Sequence, residues 1–238
     1  MTAVSAPPWV ALAMEPVHGL LAHLTGSALA PRVASTVPPG DGSPVMVIPG
    51  LGAASLSTRT LRRFLDEAGY ASYDWALGVN VGPRGGLDAL LASLQERLEE
   101  ISRMHARQKV HLVGWSLGGL YARELAKHCP RRVGRVVTAG TPITGDPDAT
   151  NGKLLYRLLC GRSADADMDL LRRIRVEPKV HCTSLFSRLD GVVSWEACQP
   201  VPGARTRAVE VRGVSHLGLV SDPRALRAIA CALANREA

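Results

Sequence analysis

The stretch VHLVGWSLGG, residues 110–119, decides how the rest of the chain reads. Its first half, with Val110, Leu112 and Val113, is the apolar run of a strand covered on both faces, as at the centre of a parallel sheet. Its second half leads into Leu117, Leu120, Tyr121, Leu125 and Ala126, which recur at helical spacing until Cys129-Pro130 ends the pattern. Ser116 sits between the two, with Gly114 and Gly118 on either side. A G-x-S-x-G pentad by itself carries little, because glycine-rich chains produce it by composition. On a strand-to-helix turn it carries more. There the chain bends too sharply for a side chain at either glycine, and the serine hydroxyl is held out at the strand's carboxyl end, placed as a nucleophile.

The flanking sequence supplies the sheet that such a turn requires. Val45-Met46-Val47-Ile48 follows the Gly40-Asp41-Gly42 turn as a buried strand. Ser57 is placed to cap a helix carrying Leu61, Phe64, Leu65 and Ala68 up to Gly69, and residues 71–75 form a short strand. Leu87, Leu90, Leu91, Leu94, Leu98 and Ile101 mark a long amphipathic helix. Strands are then expected at 133–139, 180–186 and 207–211, with a closing helix at 225–234. Strands alternating with helices imply right-handed crossovers and a mainly parallel sheet of about six strands with helices on both faces. In sheets of this kind the site lies at the carboxyl ends of the strands.

The 238 residues suit one large domain, expected at 45–238 behind a Pro- and Ala-rich lead at 1–44. In the lead, Met14, Val17, Leu20, Leu21 and Leu24 predict one short amphipathic helix. One connection breaks the rhythm. Residues 143–178 are more than a single helical crossover needs, and they contain Leu154-Leu155-Tyr156, Leu158-Leu159 and Leu170-Leu171 with Ile174. A lid or cap insertion beside the site and an ordinary pair of packed helices both fit this segment.

A serine hydroxyl is a weak nucleophile near neutral pH, so the turn predicts a histidine base and a carboxylate to orient it. Of the seven histidines, His18, His23, His105 and His128 fall in or at the ends of helices, and His111 and His181 fall in strands. His216, in VRGVSHLGL, lies on the loop after the last strand, at the edge that carries Ser116. Asp190, in SLFSRLDGVVSW, occupies the loop after the preceding strand, with Gly191 offering a tight turn. Asp146, in TGDPDAT, is the second candidate acid, although its surroundings read as a capped turn. An oxyanion hole would take one backbone N–H from Leu117, directly after the serine, and a second from Leu51 in the Pro49-Gly50-Leu51-Gly52 loop.

Composition narrows the alternatives. The net charge of +7 comes from arginines dispersed along the chain and not from a basic stripe, and with few aromatics this argues against nucleic-acid binding. Weak attraction to an anionic membrane surface is compatible with that charge. Five cysteines without metal-like spacing imply reduced thiols in a cytoplasmic setting and no zinc or redox site. The N-terminal residues lack the basic region of a secretory signal, and no apolar run is long enough to span a membrane.

Taken in order, VMVIPGLGA, HLVGWSLGGLYAREL, AGTPITG, SRLDGVVSW and GVSHLGL resemble the α/β-hydrolase superfamily, and GDGSPVMVIPGLG with YDWALGVNVGP resembles its bacterial lipase- and esterase-type members. The resemblance runs from about residue 40 to the end. It implies a cofactor-free Ser-Asp-His triad, carried onto Ser116, Asp190 and His216, with Leu51 and Leu117 as oxyanion donors. Two departures stand out: Pro49-Gly50 replaces the His-Gly of many lipases, and no hairpin precedes Val45, so the family's first two strands are expected to be missing. The implied activity is hydrolysis of a small-molecule ester or lipid through an acyl-enzyme. Acyl transfer and thioester hydrolysis would use the same residues, and a hydrolase fold kept only for binding is a third class, one that would need neither Asp190 nor His216. Acyl length, head group and oligomeric state are not written in these motifs.

Overall fold

The computed structural model describes residues 4–161 and 173–236. Six strands form one sheet: β1 (Pro44–Ile48), β2 (Ala71–Asp74), β3 (Val110–Trp115), β4 (Val133–Ala139), β5 (His181–Phe186) and β6 (Thr206–Glu210). Their order is β2-β1-β3-β4-β5-β6, and every neighbouring pair is parallel. The α-helices that lie wholly among the described residues are α1 (Trp9–Ala34), α2 (Arg59–Glu67), α3 (Leu87–Met104), α4 (Leu117–His128), α5 (Lys153–Cys160) and α6 (Pro223–Leu233).

Period-two alternation along the strands divides the core between the two faces. In β1, Val45 and Val47 join the layer under α1, α2 and α6, with Ala30, Leu61, Phe64 and Leu226. Met46 and Ile48 join the layer under α3 and α4, with Leu91, Leu94, Leu98, Leu120 and Leu125. All of β1 is buried, as expected of a strand covered on both faces. Each such aliphatic side chain removed from water contributes about 1.5–3 kcal/mol before the entropy of ordering is counted.

The strand order also determines where a ligand can enter. The chain leaves β1 toward β2 on one side and returns as β3 on the other. The loops after β1 and β3 therefore diverge and open a crevice at the carboxyl edge, the switch point at which parallel sheets bind ligands. The expected connection helix after Ser57 begins slightly later: residues 55–58 form one 3₁₀ turn, and α2 starts at Arg59.

The N-terminal segment departs from its expected form. The helix is long, with 26 residues, and the face predicted to be buried is the exposed one: Val17, Leu20, Leu21 and Leu24 are all more than half exposed, and Met14 is 40% exposed. The buried face is Glu15, Gly19, Ala22, Gly26 and Ala30. Close packing is the reason. A Cβ on Gly26 would lie 1.7 Å from the Ser221 carbonyl oxygen, and one on Gly19 would lie 2.6 Å from the Leu217 Cβ. Only a stripe of small residues lets the helix backbone come so near the loop before α6. Among the described residues, no helix is long and apolar enough to cross a membrane.

His111, near the amino end of β3, bears on acid stability. Its Nδ1 is buried without a hydrogen-bond partner, beside Gly134 of β4. Burial, and secondarily the charge of Arg135, push its pKa down to about 4, against a small opposing effect of Asp41. The unfolded chain takes up this proton near 6.5, so between those values it binds more protons than the fold does. The stabilisation is therefore complete above about pH 6.5 and is lost as pH falls toward 4, by at most roughly 3 kcal/mol. Denaturant unfolding near pH 7.5 and near pH 4.5 should show His111→Gln losing markedly less stability than the wild type over that interval. Equal losses in both proteins would place the acid sensitivity elsewhere.

Candidate active site

Ser116 is the residue between β3 and α4, and its backbone has φ 54° and ψ −122°. A positive φ at a residue with a Cβ costs on the order of 1–3 kcal/mol and persists only where the surroundings enforce it. Here they do. A Cβ on Gly114 would lie 2.4 Å from the Gly119 Cα, and one on Gly118 would lie 2.4 Å from the Ile48 carbonyl oxygen. Both glycines are thus required because helix α4 starts hard against β1 and β3. The Ser116 N–H donates to the Ala139 carbonyl (2.8 Å), and Thr141 Oγ1 donates to the Ser116 carbonyl (3.0 Å), so the turn is held from β4 as well.

His216 follows β6 on its loop and is almost fully buried. Its Nδ1 lies 2.7 Å from Asp190 Oδ2. The other oxygen of Asp190 accepts from the N–H groups of Val192 (2.9 Å) and Val193 (2.7 Å), which fixes the carboxylate in its plane. Burial alone would depress the His216 pKa. The charge and hydrogen bond of Asp190, joined by the charge of Glu15, outweigh burial and hold it above the ordinary histidine value. Trp115 Nε1 donates to the His216 carbonyl (3.1 Å), and its ring lies 5.5 Å from the imidazole, so the residue before the serine also steadies the histidine.

Ser116 and His216 open onto one cavity of about 210 Å³. Leu51, Leu117, Leu120, Leu155, Tyr156 and Val193 are among the residues lining it, which suits an apolar group of substrate. Leu117 begins α4, so its N–H is one of the unpaired donors at a helix N-terminus. Leu51, on the loop after β1, lines the same cavity. That loop is held by Asn80, which is buried: its Nδ2 donates to the Pro49 carbonyl (2.8 Å), and its backbone carbonyl accepts from the Gly52 N–H (2.8 Å). Asp146 also lines the cavity, but its side chain accepts from the Asp148 N–H as the cap of a 3₁₀ turn, so Asp190 is the carboxylate that meets His216.

Helix α5 covers one wall. Tyr156 is buried, Leu154, Leu155 and Leu158 are exposed, and the Leu159 carbonyl accepts from Arg84 Nε (2.7 Å). Of the remaining lid candidates, Leu170 and Leu171 lie outside the described residues, and Ile174 is buried in the cavity wall. Among the other histidines, His105 pairs with the Tyr73 hydroxyl and His128 with the Glu124 carbonyl, both away from the crevice. No group of acidic, histidine or cysteine side chains among the described residues could hold a metal ion. Three contributors escaped the sequence reading: Glu15, Asn80 and Thr141. Asn80 sits within YDWALGVNVGP, where nothing beyond a lone amide between apolar residues marks it.

Comparison with known proteins agrees with this architecture. Residues 43–159 match the family model of the α/β hydrolase fold. The monoacylglycerol lipase of Paleococcus ferrophilus superposes with a TM-score of 0.62 at 17% identity, over 84% of this chain and 97% of that one. A soluble variant of monoglyceride lipase from Saccharomyces cerevisiae, solved with a substrate analog, gives 0.58 at 14% identity over 84% and 88%. A bromoperoxidase from Bacillus anthracis gives 0.57 at 16% identity over 83% and 93%. No curated protein matches the sequence. With its six-stranded parallel sheet and the family match through the serine turn, the chain has the α/β-hydrolase fold.

Proposed function

We propose that the protein hydrolyses carboxylic esters through an acyl-enzyme on Ser116. The observation that carries this reading is a strained serine turn and a buried His216–Asp190 pair opening onto one apolar cavity. In the proposed reaction Ser116 Oγ attacks the ester carbonyl while His216 Nε2 takes its proton. The Leu51 and Leu117 N–H groups receive the oxyanion, at about 3 kcal/mol each. The imidazolium then protonates the departing alcohol, and water, deprotonated by the same histidine, releases the acid. Because protonated His216 cannot act as base, activity should fall as pH drops through its raised pKa.

The substrate is proposed to be a small ester or lipid with an apolar acyl group. Support comes from the apolar cavity lining and from the exposed leucines of α5, in the segment 143–178 that we read as a lid. The exposed apolar face of α1 and the net charge of +7 support weak contact with an anionic lipid surface, with the protein acting in the cytoplasm. Rates on p-nitrophenyl esters of rising acyl length, with and without micelles, test this. Wild type should prefer longer chains, and Leu155→Asp should cut long-chain turnover at least about tenfold while sparing acetate. Equal loss on all esters would make α5 a fixed wall, and no turnover of any ester would reject the activity.

A further inference from the structure

Glu15 lies on α1, far in sequence from the rest of the site, and is only 3% exposed. Its Oε1 accepts from the N–H groups of Gly191 (2.8 Å) and His216 (2.8 Å), and its Oε2 accepts from Leu217 (3.0 Å). Gly191 directly follows Asp190, and Leu217 directly follows His216. One carboxylate therefore ties together the two loops that must keep acid and base in register. A buried carboxylate costs several kcal/mol in lost solvation, and three charge-assisted hydrogen bonds are what offset it here.

The packing around Glu15 serves this contact. Gly191 has an ordinary negative φ, so it is not there for a turn; a Cβ on it would lie 2.4 Å from the Ala11 backbone. Gly19, one helical turn after Glu15, admits Leu217 in the same way. These gaps bring α1 close enough for a short side chain to span both loops.

We infer that Glu15 is a positioning residue for the proposed ester hydrolysis: its carboxylate fixes the Asp190 and His216 loops against each other and stabilises the imidazolium formed when His216 takes the Ser116 proton. The inference rests on reading Ser116 as the nucleophile. Two carboxylates act on His216, Asp190 at its ring nitrogen and Glu15 beneath its main chain. Both raise its pKa. The Trp115 ring beside it is uncharged, and the Cys198 thiol near Asp190 is buried and held well above its ordinary pKa, hence neutral.

Glu15→Gln keeps the shape but puts an NH₂, which cannot accept, against at least one of the three donors. On a p-nitrophenyl ester, kcat should fall about tenfold or more with KM changed less than about twofold. The acid limb of kcat/KM should move to lower pH, because His216 loses one of its two supporting charges. A merely structural role would lower the unfolding midpoint and leave that limb in place. The His216 ring, titrated by NMR without substrate, should shift in the same direction, and this holds even if Ser116 is not the nucleophile. Loss of turnover in wild type would therefore reject the esterase reading alone. If Glu15→Gln does not fold, Glu15→Asp keeps the charge but withdraws it by one methylene, and should lower kcat with the acid limb near its wild-type position. An unmoved His216 titration in Glu15→Gln, or, where only Glu15→Asp folds, an unchanged kcat, would overturn the inference.

Discussion

Ser116→Ala should abolish nearly all ester turnover, lowering kcat by on the order of 10⁴-fold or more, while the protein stays folded. The size of the effect follows from what the side chain supplies. The substitution removes only Oγ; the Cβ that packs beside Gly50 remains, and the backbone bonds to Ala139 and Thr141 do not involve the hydroxyl. What would be left is a cavity with the proposed oxyanion donors and an intact His216–Asp190 pair, expected to bind ester and at best to direct water slowly. The loss should appear in kcat, with KM little altered, and a fluorophosphonate should label wild type at Ser116 and not label the variant. Retention of more than about a hundredth of wild-type activity, or a label mapped to another residue, would refute the acyl-enzyme mechanism.

The degree to which this molecule could be read from its residues differs sharply between its parts. The sheet was legible because a strand buried on both faces reads as a short apolar run: β1 is one throughout, and β3 and β4 carry it at Leu112-Val113 and Val136-Val137. The meeting of His216 with Asp190 was legible because each lies on the loop after a strand, and parallel strands bring those loops to one edge. Helix α1 misled, because hydrophobic periodicity weighs large side chains and takes the leucine stripe for the buried face. The face that packs is Gly19, Ala22, Gly26 and Ala30, where small size and not hydrophobicity permits the approach. The repeat of small residues at three- and four-residue steps, in line with a lone glutamate, was the available signal. Asn80 was hidden for a different reason: its partners are Pro49 and Gly52, and nothing local in the sequence reports a clamp between two loops.

Asp190→Asn should slow turnover by about 10³- to 10⁴-fold with the fold preserved, and the hydrogen-bond geometry dictates why. The Val192 and Val193 N–H groups both point at Oδ1, so the amide must place its oxygen there or leave two buried donors facing an NH₂. Its NH₂ is then turned toward His216 Nδ1, where the carboxylate oxygen stood. An NH₂ donates, so Nδ1 must become an acceptor and the ring proton must move to Nε2. In that tautomer Nε2 cannot take the serine proton. The imidazolium would also lose its main supporting charge, so the His216 pKa should fall and any residual activity should extend to lower pH. Phosphonate labelling of Ser116 should slow alongside turnover, since both need the same base. Asp146→Asn provides the contrast, because its oxygen can still cap the 147–149 turn and its activity should stay within about twofold of wild type. If the two variants exchanged ranks, the carboxylate that orients the base would be the one after β4, and the 2.7 Å contact between His216 and Asp190 would be structural only.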